Sequence, residues 1–80
     1  MSGARRLFEP KPVAIKVDGN GAPCAVGTLA VESVREDWVV GPIGWYTGHP
    51  VRRRYYQLVL INGRCITVFR DLRSGCWYRQ

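Results

Sequence analysis

The sequence predicts an all-β fold, a small curled antiparallel sheet or partly open barrel of about six strands. Three observations lead there. Residues 55–61 and 64–70 are two β-rich runs joined by Asn62-Gly63, the strongest short-range hairpin signal. In residues 13–17, Val13, Ile15 and Val17 alternate with Ala14 and Lys16, which is strand spacing. Turn formers punctuate the chain at Pro10 and Pro12, Asp18-Gly19-Asn20-Gly21, Gly41-Pro42 and Gly48-His49-Pro50, leaving short segments between reversals.

Taken in order, residues 1–8 read as a flexible basic tail, because terminal residues without apolar periodicity rarely order. Residues 9–80 read as one small β domain. The first strand covers 13–17, and Asp18-Gly19-Asn20-Gly21 reverses it. Residues 25–40 lack clean periodicity, and 32–37 could pass for a short helical turn, but their β-branched content favours strand. Gly41-Pro42 and Gly44 are expected to break that ladder, and Trp45-Tyr46 to form a short strand.

The central hairpin, 55–61 and 64–70, carries the most information. A two-residue turn with positive φ at both Asn62 and Gly63 sets its register. Leu60 then faces Cys65, Leu58 faces Thr67, Tyr56 faces Phe69 and Arg54 faces Asp71. One face carries Tyr56, Leu58, Leu60, Cys65, Thr67 and Phe69; the other carries Tyr55, Val59, Ile61, Ile66 and Val68. Both are largely apolar, which places the hairpin at the centre of a sheet covered or curled on both sides. Residues 71–75 form a second turn with Ser74-Gly75 suited to a left-handed position, and 76–79 close the chain as a last strand.

Size and composition narrow the function. A chain of 80 residues is one domain, burying roughly 60% of its unfolded surface. Its net charge is +6, and ten of its 12 basic side chains are arginine. Arginine pairs with phosphate or carboxylate through a planar fork, so nucleic acid is the leading charge-based partner and an acidic protein surface the second. The same charge also serves solubility. No apolar segment reaches the length of a membrane span or signal core, from which a cytoplasmic location with no membrane partner is expected. Cys24, Cys65 and Cys76 form an odd set without a C-x-x-C pair. They read as reduced, buried, small apolar residues rather than a disulfide framework or zinc site, and no cofactor is implied.

An enzyme reading fails on the same residues. The single histidine, His49, stands before Pro50 in a turn. Glu36 and Asp37 are adjacent, so in a strand they point to opposite faces. Gly19-Asn20-Gly21 lacks the following helix that a phosphate-binding loop needs. The richer pattern is arginine interleaved with aromatics: Trp45-Tyr46, Arg52-Arg53-Arg54-Tyr55-Tyr56, Arg70 with Arg73, and Trp77-Tyr78-Arg79. In single-strand binders arginine tracks phosphates while exposed rings stack bases. Tyr56, Phe69 and Trp77 also suit a small β core, whereas Arg52 and Arg53 are expected in an exposed loop.

The order Trp45-Tyr46, Pro50, Arg52, Tyr55-Tyr56, Gly63, Phe69-Arg70-Asp71 and Ser74-Gly75-x-Trp77-Tyr78 resembles a family of short uncharacterised bacterial proteins. It is also similar to the C-terminal segment of catalytically inactive Y-family polymerase homologues, the accessory subunits of bacterial mutasomes. That resemblance implies a link to DNA repair or damage tolerance without an assigned activity. In those homologues the segment lies outside the polymerase fold, which suits an adaptor; the present chain carries no polymerase domain.

Two functions are therefore expected, neither catalytic. One is a nucleic-acid-binding module, for single-stranded or duplex partners, using Arg52, Arg53, Arg70 and Arg73 with Trp45 or Tyr55 stacking. The other is a protein-interaction adaptor docking onto a repair or replication partner, with a sheet edge near 13–17 able to accept a strand. Oligomeric state is left open by the sequence.

Overall fold

The computed structural model describes residues 10–43 and 51–80. They form seven strands: β1 (Lys11–Pro12), β2 (Ile15–Val17), β3 (Pro23–Val26), β4 (Leu29–Ile43), β5 (Val51–Leu60), β6 (Cys65–Asp71) and β7 (Trp77–Arg79). All pairings are antiparallel, in the order β1-β7-β6-β5-β4-β3-β2. The sheet is a curled half-barrel with β5 at its middle, as the hairpin signal implied. The expected basic tail and the Trp45-Tyr46 strand lie outside the described residues.

The curl has a local cause. β1 and β2 stand at opposite ends of the strand order, yet only Val13 and Ala14 separate them. From Pro12 to Ile15 the chain spans at most about 11 Å, so the two sheet edges are drawn together. Val13 N donates to Trp77 O on one side (3.2 Å), and Gly27 N donates to Ala14 O on the other (2.8 Å). One N-terminal segment thus changes partner in mid-course. β2 pairs with β3 alone among the described residues and stands at the end of the strand order, so the edge that the alternation at 13–17 suggested is present at 15–17, while Val13 and Ala14 are engaged in the closure.

The turn after β2 forms as its composition requires. Asp18 Oδ1 accepts hydrogen bonds from Asn20 N and Ala22 N at 2.8 and 3.0 Å, a side-chain mimic of a backbone turn.

The hairpin differs from expectation by one residue. Gly63 N donates to Leu60 O and Leu60 N to Arg64 O, both at 2.8 Å. Gly63 has φ +85, while among the described residues none other than glycine has positive φ. The connection is therefore a three-residue loop, a right-handed turn through Ile61 and Asn62 followed by a left-handed glycine, rather than a mirror-image turn with positive φ at both positions. Leu58 faces Ile66, Tyr56 faces Val68, Tyr55 faces Phe69 and Arg53 faces Asp71. A shift of one residue exchanges the faces of β6. One face of the hairpin now carries Tyr56, Leu58, Leu60, Ile66 and Val68, all buried. The other carries Tyr55, Gln57, Val59, Cys65, Thr67 and Phe69 and is mixed, so the expected two-sided apolar hairpin is corrected.

The main core cluster lies on the first, inner face. Val13, Ile15, Val26, Leu29, Val31 and Trp77 pack against those five residues, and the Tyr56 and Trp77 rings meet at 5.5 Å. Tyr56 and Trp77 are thus core residues, as their type suggested. Phe69 is buried too, at 2% exposure, but on the outer face.

β4 runs straight through Gly41-Pro42, where a break was expected. Its register against β5 slips between Val31 and Ser33, between Val34 and Glu36, and between Val40 and Ile43. Each slip adds one residue to β4, a bulge that bends the strand and increases its twist. Gly41, at φ +136, adopts the backbone that the last bulge needs.

Two substitutions test this account. Gly63→Ala forces a side chain into the left-handed region and is expected to cost about 1–2 kcal/mol. Asn62→Ala keeps a right-handed position but removes the exposed 3.1 Å hydrogen bond from Arg64 N to Asn62 Oδ1, and should cost less, about 0.5 kcal/mol; equal effects in urea unfolding would restore the two-residue turn. Leu58→Ala, which empties a fully buried site, is expected to cost about 2–5 kcal/mol, a large share of the about 5–15 kcal/mol available to a domain.

Candidate nucleic-acid interface

The arginines flanking the hairpin meet at one end of it. Register places Val39, Arg54, Arg70 and Trp77 in one row across β4, β5, β6 and β7. Arg52 shares the inner face with Arg54, two residues or about 7 Å further along the strand, and Leu72 N donates to Arg52 O at 3.0 Å. Arg73 follows in the turn beyond β6. Arg52, Arg54, Arg70 and Arg73 are all exposed. Arg52 and Arg53 belong to β5 rather than to a loop, and adjacent strand residues point to opposite faces.

Only part of this charge is available. Arg54 forms an ion pair with Asp37, rather than the expected one with Asp71, because the register places Asp71 opposite Arg53. The hydrogen bond to Asp37, then the charge interaction with the Tyr56 phenol, raise the Arg54 pKa further, so the group stays cationic. Among the described residues this is the ion pair recorded, which leaves Arg52, Arg70 and Arg73 as exposed guanidinium groups without a carboxylate partner.

The turn between β6 and β7 holds two of them. Asp71 Oδ1 accepts from Arg73 N and Ser74 N at 2.9 and 3.3 Å. Gly75 N donates to Asp71 O (2.7 Å) and Asp71 N to Cys76 O (2.9 Å). Gly75 has φ +78, and a Cβ placed on it would lie 3.6 Å from Arg70 Nη2, so the Arg70 guanidinium rests beside the turn. The Asp71 carboxylate is thereby spent on backbone N–H groups, and the arginines on either side of it keep their charge.

The outer face shows why the other predicted residues are less accessible. Trp38, Tyr55, Phe69 and Tyr78 occupy one row, one ring from each of four adjacent strands. Trp38 and Tyr55 stack at 5.4 Å with planes 5° apart. Tyr55 meets Phe69 at 5.0 Å and Phe69 meets Tyr78 at 5.3 Å. The Arg53 guanidinium lies 4.6 Å from the Phe69 centroid, and its Nε is buried without a hydrogen-bond partner. Arg53 thus covers a ring, and Tyr55 is enclosed by two others, so neither offers a free surface. Trp45 lies outside the described residues.

Trp38 was missed by sequence reading, since only the β4 register brings it into the ladder. It is 39% exposed. Glu36 lies on the same face two residues away, and a carboxylate there disfavours a phosphate-bearing partner.

Other chemistry finds little support. Cys24 is half-buried while Cys65 and Cys76 are exposed, which corrects the expectation of buried thiols; strand alternation and the register shift turn Cys65 outward. Among the described residues no group of three His, Cys, Asp or Glu side chains is placed to hold a metal ion, and no helix is long and apolar enough to cross a membrane.

No protein-family model, curated protein or solved structure matches the chain.

The two neighbouring arginines should respond differently to truncation. Arg53→Ala uncovers Phe69 and is expected to lower stability by about 1–2 kcal/mol. Arg52→Ala should stay within about 0.5 kcal/mol. Thermal unfolding of the two variants checks this; equal losses would contradict the assignment of Arg53 to the ladder.

Proposed function

We propose that this chain is a non-enzymatic nucleic-acid-binding module in which Arg52, Arg70 and Arg73 hold backbone phosphates. The observation that supports it is that the hairpin and the turn after it bring Arg52, Arg70 and Arg73, exposed and without a carboxylate partner among the described residues, to one end of the sheet in a chain of net charge +6. Arginine's planar fork matches phosphate geometry. Among the described residues the Tyr55, Phe69 and Tyr78 rings are stacked on neighbouring rings, so binding is led by phosphate contacts rather than base stacking and is tolerant of sequence. The resemblance to mutasome accessory subunits would place such binding in DNA repair or damage tolerance, in the bacterial cytoplasm.

Three phosphate contacts give a log–log salt slope of about −2 on single strands and about −3 on duplex. Fluorescence titration with both oligonucleotides at several salt concentrations measures it. Arg52→Ala, Arg70→Ala and Arg73→Ala should each weaken binding and reduce the slope by about 1. No binding at low salt, or binding insensitive to salt, would exclude this function.

A second reading is an adaptor that docks onto a repair or replication protein. It is favoured by Val34, Trp38 and Val39, which are 39%, 39% and 56% exposed along β4. Reversing charge at Arg52 and Arg73 separates the readings: nucleic-acid binding should be lost, whereas an adaptor built on β4 should retain its partner.

A further inference from the structure

Arg54 shares the inner face with Arg52 and Arg70 but is turned away from them. It stands directly opposite Arg70, and Arg52 lies two residues further along β5. Opposed Cβ atoms are about 5 Å apart and diagonal ones about 7–8 Å, so Arg54 is the inner-face neighbour that Arg52 and Arg70 have in common. A phosphate lodged between Arg52 and Arg70 therefore passes beside Arg54. The Arg54 guanidinium is instead paired with Asp37 of β4 and lies 5.6 Å from the centroid of the Tyr56 ring. Register sets Asp37 opposite Tyr56, on the side of Arg54 away from Arg52. Both members of the pair are exposed, at 46% and 40%, and an exposed pair holds its partners weakly. A carboxylate and a phosphate would compete for this one guanidinium.

We propose that Asp37 withholds Arg54 from the phosphate site and so limits its affinity: with that carboxylate removed, Arg54 becomes a fourth phosphate contact. The inference rests on the nucleic-acid reading above. Two arginines directly opposite each other across a strand pair are unfavourable, and Asp37 relieves this in the unbound chain. A bound phosphate relieves it as well, and Asp37 is then a like charge beside the ligand. Asp37 thus stabilises the unbound state. Glu36 precedes it in sequence but stands opposite Gln57, on the outer face, because neighbours in a strand point to opposite sides. It has no hold on Arg54, so the two carboxylates separate an effect carried by Arg54 from one of net charge.

The salt slope of oligonucleotide binding counts the phosphates that are neutralised, which makes it the measurement of choice. Asp37→Asn should tighten binding about fivefold at low salt and steepen the slope by about 1, to about −4 on duplex and about −3 on single strands. Arg54→Gln alone should leave the slope unchanged. In the Arg54→Gln background, Asp37→Asn should no longer steepen it, and Glu36→Gln should leave it unaltered. Both Asp37 and Arg54 are exposed, so far-UV circular dichroism should be the same for all variants. Asp37→Ala repeats the test without an amide that could still bond the guanidinium. Steepening by Asp37→Asn with Arg54 already replaced, equal steepening by Glu36→Gln, no steepening by either Asp37 variant, or a slope lowered by about 1 in Arg54→Gln alone would overturn the proposal. Binding by the unaltered chain would in those cases leave the proposed function standing. Absence of binding by every variant would overturn that function, and this inference with it.

Discussion

The hydrogen bond from Leu60 N to Arg64 O closes a loop of three residues, and that count decides which side of β6 faces the core. With it, Ile66 and Val68 join Tyr56, Leu58 and Leu60 on the inner face, and Phe69 is sent to the outer one. A loop shorter by one residue would place Cys65, Thr67 and Phe69 inside and strand Ile66 and Val68 opposite them. Tyr56, Leu58 and Leu60 lie on β5 and face inward with either loop, so the choice rests on Ile66 and Val68, whose burial is worth about 1.5–3 kcal/mol each, with Phe69 buried on the outer face instead. The hydrophobic pattern therefore selects the turn.

From that register the remaining features follow. It sets Arg54 opposite Arg70 and leaves Asp71 to its turn, concentrating positive charge at one end of the sheet. Like charges across a strand pair cost stability, and Asp37 offsets part of it through Arg54. The same register stacks Tyr55 on Phe69, and β4 and β7 extend the stack on either side. A sheet that is closed by a single N-terminal segment has one well-filled interior and little to spare outside it. The aromatic row with Arg53 laid over Phe69 supplies a second, thinner apolar layer where the outer face would otherwise be wet.

The molecule is also divided electrically. β4 carries Glu32, Glu36 and Asp37 beside Arg35, while β5 and β6 carry Arg52, Arg53, Arg54 and Arg70 beside Asp71, so β4 is net negative and the central hairpin net positive, with the Asp37–Arg54 pair joining them.

The sequence by itself determined the elements whose causes are local. The Asp18 turn, the left-handed Gly75, the hairpin around Asn62-Gly63 and the all-β class each rest on residues a few positions apart. So does the meeting of Arg52 and Arg70 at one end, because any tight turn near residue 62 brings them together. Tertiary structure alone decided what depends on counting residues between distant strands: the one-residue register, the three bulges of β4, the ladder containing Trp38 and the closure through Val13 and Ala14. Asn62-Gly63 is compatible with loops of two or three residues, and the preference between them is set by which side chains the whole sheet can bury. Gly41-Pro42 reads as a break in isolation, yet becomes a bulge because β5 continues to offer hydrogen bonds on either side of it.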